Sequence, residues 1–526
     1  MSPPSEIDLD TLPPDIRAAF EAERARRAAL EAEVAMLAEH NRRLEHLVKE
    51  FQHALYGRKS EKLDADARQL AFEDLETAVA EAEEAQERAG MPPPATRDGR
   101  AGVKHNQGRL PKELPRIERV IEPETTLCPC GCGEMTRIGE DRTERLDIVP
   151  AQFRVIATVR PKYACRRCAG AVAQAPAPAF LIEGALPTER MIAHVLVSKY
   201  ADHTPLYRQS QIFSRAGIDL HRSTLADWVG KAAFHLAPII DRLVGHLKSS
   251  GKLFLDETTA PVLDPGRGRT KTGYLWALAR DDRRWGGADP PAVVYHYAPG
   301  RGAEHARTIL EGFSGVLQVD GYAAYKRVRD DRGPDAPLVL AHCWAHGRRQ
   351  LREIFDRDAS PIAEKGLRRI AELYAIEAAL KGSPPDCRRA VRQARSAPLV
   401  EDFGAWLARV RAGTSAKSRL GHKLTYFANH WEGLCVFLDD GRVEIDSNAV
   451  ENTIRPLSLQ RKNALFAGHD EGAHGWARIA SLIETCKLNG VDPLAYLTAT
   501  LEAIAAGHPA NRIDDLMPWA FSPASS

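Results

Sequence analysis

Between Lys252 and Leu340 the sequence leaves helical spacing for five short apolar runs, KLFLDET, GYLWALAR, AVVYHYA, GVLQVDG and PLVLAHC. Short apolar runs rich in β-branched and aromatic residues, set between turn residues, form strands. A helical run, EHARTILEGF, separates the third from the fourth. The order is therefore three strands, a helix, a strand, then a further strand and helix. A chain of 526 residues with 44% hydrophobic and 27% charged content can bury several cores beside this one. The expected class is a multidomain α+β protein.

Two acids sit where a strand should be apolar. Asp256 lies inside the first run, and Asp320 closes the fourth immediately before Gly321. Burying an unpaired carboxylate is costly, so such a residue has a partner, and a divalent metal is one. The plain alternative is that each Asp caps a turn. A third acid comes in EIDSNAVENTIRP, where Asp446 or Ser447 can cap a helix. Asn448, Glu451 and Arg455 then recur at steps of three and four on one face. Three carboxylates holding two magnesium ions about 4 Å apart meet the requirement of in-line phosphodiester chemistry. Before the third acid lies a mostly helical insertion, roughly residues 345–440.

The flanks carry other signals. From Arg27 to Leu55 the apolar residues follow a seven-residue repeat, with Leu30, Leu37, Leu44 and Phe51 in one register and Val34, Val48 and Leu55 in the other. That is a coiled-coil seam, and Asn41 stands where a buried Asn fixes two-stranded association. Residues 15–90 are expected to be a helical dimerisation region and 91–120 a Pro/Gly-rich linker. Five of nine cysteines then fall between positions 128 and 168. Cys165 and Cys168 make one zinc pair, and the other comes from among Cys128, Cys130 and Cys132, so four of these five would hold structural zinc in a ribbon over 121–182. Over 183–248 the pattern is helix, turn, helix. Gly217 ends the first helix, and Thr224 with Asp227 forms a capping-box start for the second. Its Arg222, Ser223, Thr224 and Trp228 would enter a major groove, unless the pair is an ordinary helical hairpin. A catalytic region over 249–485 and a C-terminal helical segment over 486–526 complete the expected division.

The net charge is +1, so any affinity for DNA must come from local patches. Arg348 and Arg349 on one expected helix, with Arg455, Arg461 and Lys462 beyond the third acid, are candidates for phosphate contacts; the alternative is a solvated charged face. Cys343 and His346, a Cys-two-residue-His pair beside the second Asp, and Asn448 are read as residues that order the site. No apolar window approaches a membrane span of about 18 residues, and the start, MSPPSEIDLD, is acidic and lacks a signal segment. A cytoplasmic protein with no membrane partner is expected.

The strand and helix order resembles the ribonuclease-H-like fold. LFLDET, LQVDGYAAY, HCWAHGRRQ, IDSNAVENTIRPLSLQRKNALFAG and TCKLNGVDP resemble the insertion-sequence 66 family of bacterial transposases. YGRKSEKL, ERLDIVPAQFRV, the segment from PLYRQ to STLADWV and DDLMPWAF extend the likeness over most of the chain. The resemblance implies that Asp256, Asp320 and Glu451 are a DDE triad for magnesium-dependent cleavage and strand transfer of DNA ends, with two Mg2+ per site and Mn2+ as a substitute. It further implies recognition of terminal inverted repeats, target DNA, small accessory proteins encoded by the same element, and nucleoid association when bound. The family block that commonly ends in Glu-Arg ends here in Glu451-Asn452. Rival expectations are a catalytically inactive dimeric repressor derived from a transposase and a hydrolytic nuclease on the same fold.

Overall fold

A computed structural model describes residues 152–164, 172–264, 269–334 and 336–522. The expected coiled coil, the linker and all five ribbon cysteines lie outside the described residues. Two short strands lie within the expected ribbon region, β1 (Lys162–Ala164) just before Cys165 and β2 (Val172–Gln174) after Cys168, paired antiparallel.

The helical region opens with α1 (Glu189–Tyr200), capped by the Thr188 side chain. Then come α2 (Leu206–Arg215) and α3 (Arg222–Lys248), separated by a turn in which Gly217 takes φ +79°, a left-handed conformation that favours glycine. Helix α3 starts two residues before the expected Thr224. His221 is the cap, its Nδ1 accepting from the Ser223 amide, and Thr224 lies within the first turn without the expected capping box.

A five-stranded mixed sheet follows in the order β5-β4-β3-β6-β7. Its strands are β3 (Lys252–Asp264), β4 (Arg269–Arg280), β5 (Ala292–Ala298), β6 (Gly315–Val319) and β7 (Leu338–His342). β3, β4 and β5 run antiparallel in sequence, whereas β6 and β7 are parallel to β3 and to each other. The parallel steps need crossovers, supplied by α4 (Ala303–Ile309) and α5 (Ala323–Asp330). Nearly all the apolar side chains of β3, β4 and β5 are buried, as expected of a sheet covered on both faces.

From Trp344 to Asp439 the chain is largely helical: α6 (Trp344–Asp358), α7 (Pro361–Ala379), α8 (Pro385–Val391), α9 (Ala397–Ala412), α10 (Arg419–Asn429) and α11 (Trp431–Asp439). This insertion has its own core, built on Trp344, Phe403, Phe427, Phe437 and Leu434, which also takes in Val316 of β6 and Ala341 of β7. It is therefore anchored on the parallel side of the sheet. Helices α12 (Asn448–Ala464), α13 (Asp470–Leu488) and α14 (Pro493–Ala505) close the fold. Helix α13 covers β5, and its Ser481 and Thr485 hydroxyls bond the strand amides of Tyr295 and Val293 at 2.8 and 3.2 Å. The edge donors that would otherwise be orphaned are thus satisfied.

Candidate active site

The sheet register places the first two acids. Lys252 pairs with Val316 and Phe254 with Gln318; carried two residues further, the register sets Asp256 level with Asp320 on neighbouring strands, which lie about 4.8 Å apart. Asp320 leaves β6 in a tight turn. Its Oδ1 accepts the Tyr322 amide at 2.9 Å, and Gly321 adopts φ +117°. A Cβ at Gly321 would lie 2.9 Å from His430 Nε2, so both conformation and space require glycine. The insertion holds this turn from the other side. Tyr426 of α10 donates its hydroxyl to the carbonyls of Asp320 and Cys343, both at 2.9 Å, while His430 Nε2 lies 3.0 Å from the Gly321 carbonyl.

The third acid comes from the first turn of α12. The approach segment is fixed to β6 by a reciprocal pair: Gln318 donates to the Glu444 carbonyl and accepts its amide, both at 2.9 Å. The Ser447 amide donates to Cys343 Sγ at 3.3 Å, and the Ser447 hydroxyl donates to Glu451 Oε1 at 3.1 Å. Arg349 lies 3.6 Å from Glu451 Oε2, and His346 Nδ1 3.8 Å from Oε1. Asp446 caps locally, accepting the Asn448 amide at 3.3 Å, and Asn448 is half-buried in the first turn.

Burial pushes the Asp256 carboxyl well above its ordinary range, and the negative charges of Asp320, Glu257 and Glu451 push it further. Acids from three separate elements therefore bear on one buried carboxyl, that of Asp256. Glu257, which sequence reasoning did not single out, joins them. Burial and then Asp320 raise it, opposed by Arg301 and by the Tyr325 hydroxyl. Arg301 Nε bonds Glu257 Oε1 at 2.5 Å, Tyr325 donates to Oε2, and the Arg301 guanidinium stacks 4.0 Å over Tyr322. An acid adjacent in sequence to a strand acid was the available signal; its partners are 44 and 68 residues away.

The proposed phosphate-binding residues part ways. Arg222, Ser223, Arg348, Arg455 and Lys462 are exposed, and Thr224 is half-buried. Arg349 is directed to Glu451. Arg461 is a correction: its side chain is buried and bonds Thr258 Oγ1, the Thr259 carbonyl and Thr259 Oγ1 at 3.0, 2.7 and 2.8 Å, tying α12 to β3. Trp228 is a second correction, because it is 3% exposed in the core and presents no surface to a groove.

A family model described as "Transposase IS66 family" matches residues 184–475, more than half of the chain. The chain belongs to the IS66 transposase family. Further models match along its length: "IS66 C-terminal element" at 481–519, "zinc-finger binding domain of transposase IS66" at 125–169, and "Transposase C of IS166 homeodomain" at 43–119. The second of these spans all five ribbon cysteines and gives this transposase-family chain a zinc-finger region. Relatives in Sinorhizobium fredii include uncharacterized protein y4qI, 43% identical over 523 residues, covering 95% of this chain and 94% of the relative. Uncharacterized protein y4jD is 46% identical over 424 residues, covering 80% and 83%. Among the described residues no helix is long and apolar enough to cross a membrane.

A transposase of this family acts on DNA, and its DDE domain implies a divalent cation. The residues fit one. Carboxylate oxygens are hard donors suited to Mg2+, and Asp256 is raised by burial and then by neighbouring acids, whose charge a bound cation would offset.

Proposed function

We propose that this chain is an active DDE transposase that binds the terminal inverted repeats of its element, releases the 3′ ends and joins them to target DNA. What supports this reading is that the buried Asp256 carboxyl of β3 is raised by burial and then by the charges of Asp320, Glu257 and Glu451, which come from the β6 turn, β3 and α12. The strand order β5-β4-β3-β6-β7, with an antiparallel first half and a parallel second half, supports a ribonuclease-H-like catalytic domain.

Asp256, Asp320 and Glu451 would hold two Mg2+, or Mn2+ in their place, and the ions would supply activation of the attacking oxygen and charge stabilisation at the leaving one. In the first step water attacks the phosphorus at the element's end, the bond to the 3′ oxygen breaks, and a 3′ hydroxyl is released. In the second that hydroxyl attacks a target phosphodiester and displaces the target's own 3′ oxygen. Neither step needs a covalent protein intermediate. Glu257 and Arg301 keep the wall beside Asp256 charged and rigid, and Tyr426 with His430 fixes the turn that aims Asp320. Exposed Arg348, Arg455 and Lys462 are suited to DNA phosphates, and Arg222 and Ser223 at the start of α3 to the repeat sequence. Four of the five ribbon cysteines would hold zinc, the heptads would pair two chains, and accessory proteins of the same element would complete the assembly on nucleoid DNA in the cytoplasm.

The test uses purified full-length chain, magnesium and a labelled duplex bearing the element's terminal repeat, comparing wild type with Glu451→Gln. Nicked and joined products from wild type, with binding but neither product from the variant, are expected. Nicking without joining points to a nuclease, and binding without either, even with accessory proteins added, to a repressor; each of these overturns the proposal.

A further inference from the structure

Beside the proposed triad the fold assembles a second donor set of different chemistry. Cys343 is the residue before α6 and His346 lies in its first turn, three positions on, so both fall on one face of the helix start. Glu451 enters from the first turn of α12. Their donor atoms, a thiol sulfur, an imidazole nitrogen and a carboxylate oxygen, lie within 4.8 Å of one another, the one such group of three or more among the described residues.

Two further observations point to a ligand. His346 Nδ1 is buried without a hydrogen-bond partner and lies 3.8 Å from Glu451 Oε1. A buried ring nitrogen without a partner is costly. The neighbours also supply what orienting partners supply at metal centres: Ser447 bonds both flanking ligands, through its amide to Cys343 Sγ at 3.3 Å and its hydroxyl to Glu451 Oε1 at 3.1 Å.

We propose that Cys343, His346 and Glu451 form a binding site for a zinc-class divalent cation, separate in chemistry from the hard-cation site and sharing Glu451 with it. Tetrahedral zinc, with Zn–S near 2.3 Å and Zn–N near 2.0 Å, holds such donors roughly 3.5 Å apart. Closing the present cluster therefore takes shifts of about 1 Å. Sulfur and imidazole select zinc over magnesium, which prefers oxygen donors and its own waters. Three protein ligands leave a fourth position open to water, the pattern of a zinc centre that exchanges ligands rather than a closed structural one. Binding here does not depend on the transposase reading. Its consequence, that zinc draws Glu451 toward the Cys–His side and competes with magnesium for it, rests on that reading.

The test needs neither DNA nor magnesium, so its failure is distinct from failure of the proposed activity. Full-length chain stripped by chelator is titrated with Co2+ and then Zn2+, in wild type, Cys343→Ser, His346→Asn and Glu451→Gln. The ribbon cysteines are present in all four proteins and cancel in the differences. Wild type should bind one equivalent more than Cys343→Ser and show a thiolate-to-cobalt charge-transfer band in the difference spectrum. His346→Asn, at a partly exposed position that tolerates the change, should weaken this equivalent by at least the roughly 10–100-fold that loss of a mere supporting partner costs. Equal stoichiometry and spectra in wild type, Cys343→Ser and His346→Asn would overturn the site. Wild-type affinity in Glu451→Gln would overturn the three-residue assignment.

Discussion

Asp256 carries a stability cost that its burial among other acids imposes. Its carboxyl is raised in the folded chain, first by burial and then by Asp320, Glu257 and Glu451. A folded carboxyl above its unfolded value of about 3.9 holds its proton to higher pH than the unfolded chain does. Stability from this group is therefore greatest in acid and declines as pH rises from that value through the raised one. Asp256→Asn removes the cost while keeping the shape. At neutral pH, in chelator, the variant should unfold at a higher temperature than wild type, by about 2–4 °C for each kcal/mol recovered, and should make no nicked product. Magnesium should raise the midpoint of wild type and not of the variant; a variant less stable than wild type in chelator would contradict the electrostatic account. Glu257 is raised too, by burial and then Asp320, but Arg301 and the Tyr325 hydroxyl oppose the shift and hold its carboxylate. Glu257→Leu leaves Arg301 and the Tyr325 hydroxyl without their acceptor, and a loss of roughly 1–3 kcal/mol is expected from denaturant unfolding. The placement of Asp256 within a strand and of Asp320 at the end of one was legible in the sequence, because an acid within or closing an apolar strand run is an anomaly that spacing alone exposes. Arg461 was misread for the converse reason: a cation near a helix end looks the same whether it faces solvent or, as here, bonds Thr258 and Thr259 on a strand some 200 residues earlier.

At the scale of elements, periodicity carried the five strands, the helix between the third and fourth, and the helical stretch before the third acid. It did not show what the insertion does to the site. That emerges from contacts over more than 80 residues, since Tyr426 on α10 bonds the backbone at both Asp320 and Cys343, and such pairings leave no local mark. The start of α3 was missed for a local reason: Thr224 and Asp227 match a capping box, but His221 offers Nδ1 to the Ser223 amide and the helix begins there instead. The α10 contact makes a prediction at its own scale. Tyr426→Phe keeps the ring, which lies 4.7 Å from that of His430, and deletes the only hydroxyl. Stability should fall by about 1–2 kcal/mol for the two lost bonds. The nicking rate at saturating DNA should fall while DNA affinity holds, because the turn aiming Asp320 loosens and nothing exposed changes. A variant with weakened DNA binding and unchanged saturated rate would place α10 in DNA contact rather than behind the site.

Over the whole molecule, the chain divides into a unit of residues 1–84 and one of residues 85–526, and the heptads of Arg27 to Leu55 fall entirely in the first. Among the described residues, the sheet and both apolar cores lie within residues 85–526. Joining two element ends to one target, by contrast, is a task for two active sites held together, and a coiled coil is a direct way to hold them. Deleting residues 1–84 should therefore leave a protein that unfolds cooperatively near the wild-type temperature but sediments as a monomer. Its single-end nicking should persist within a few fold, whereas products in which two ends join one target should fall much further. Asn41→Leu in the full chain tests the same seam more gently. Removing a buried Asn is expected to strengthen association while relaxing its two-stranded register, so sedimentation should show larger assemblies alongside dimers. If the truncated chain remains a dimer, the association surface lies within residues 85–526, and the seven-residue repeat serves another purpose.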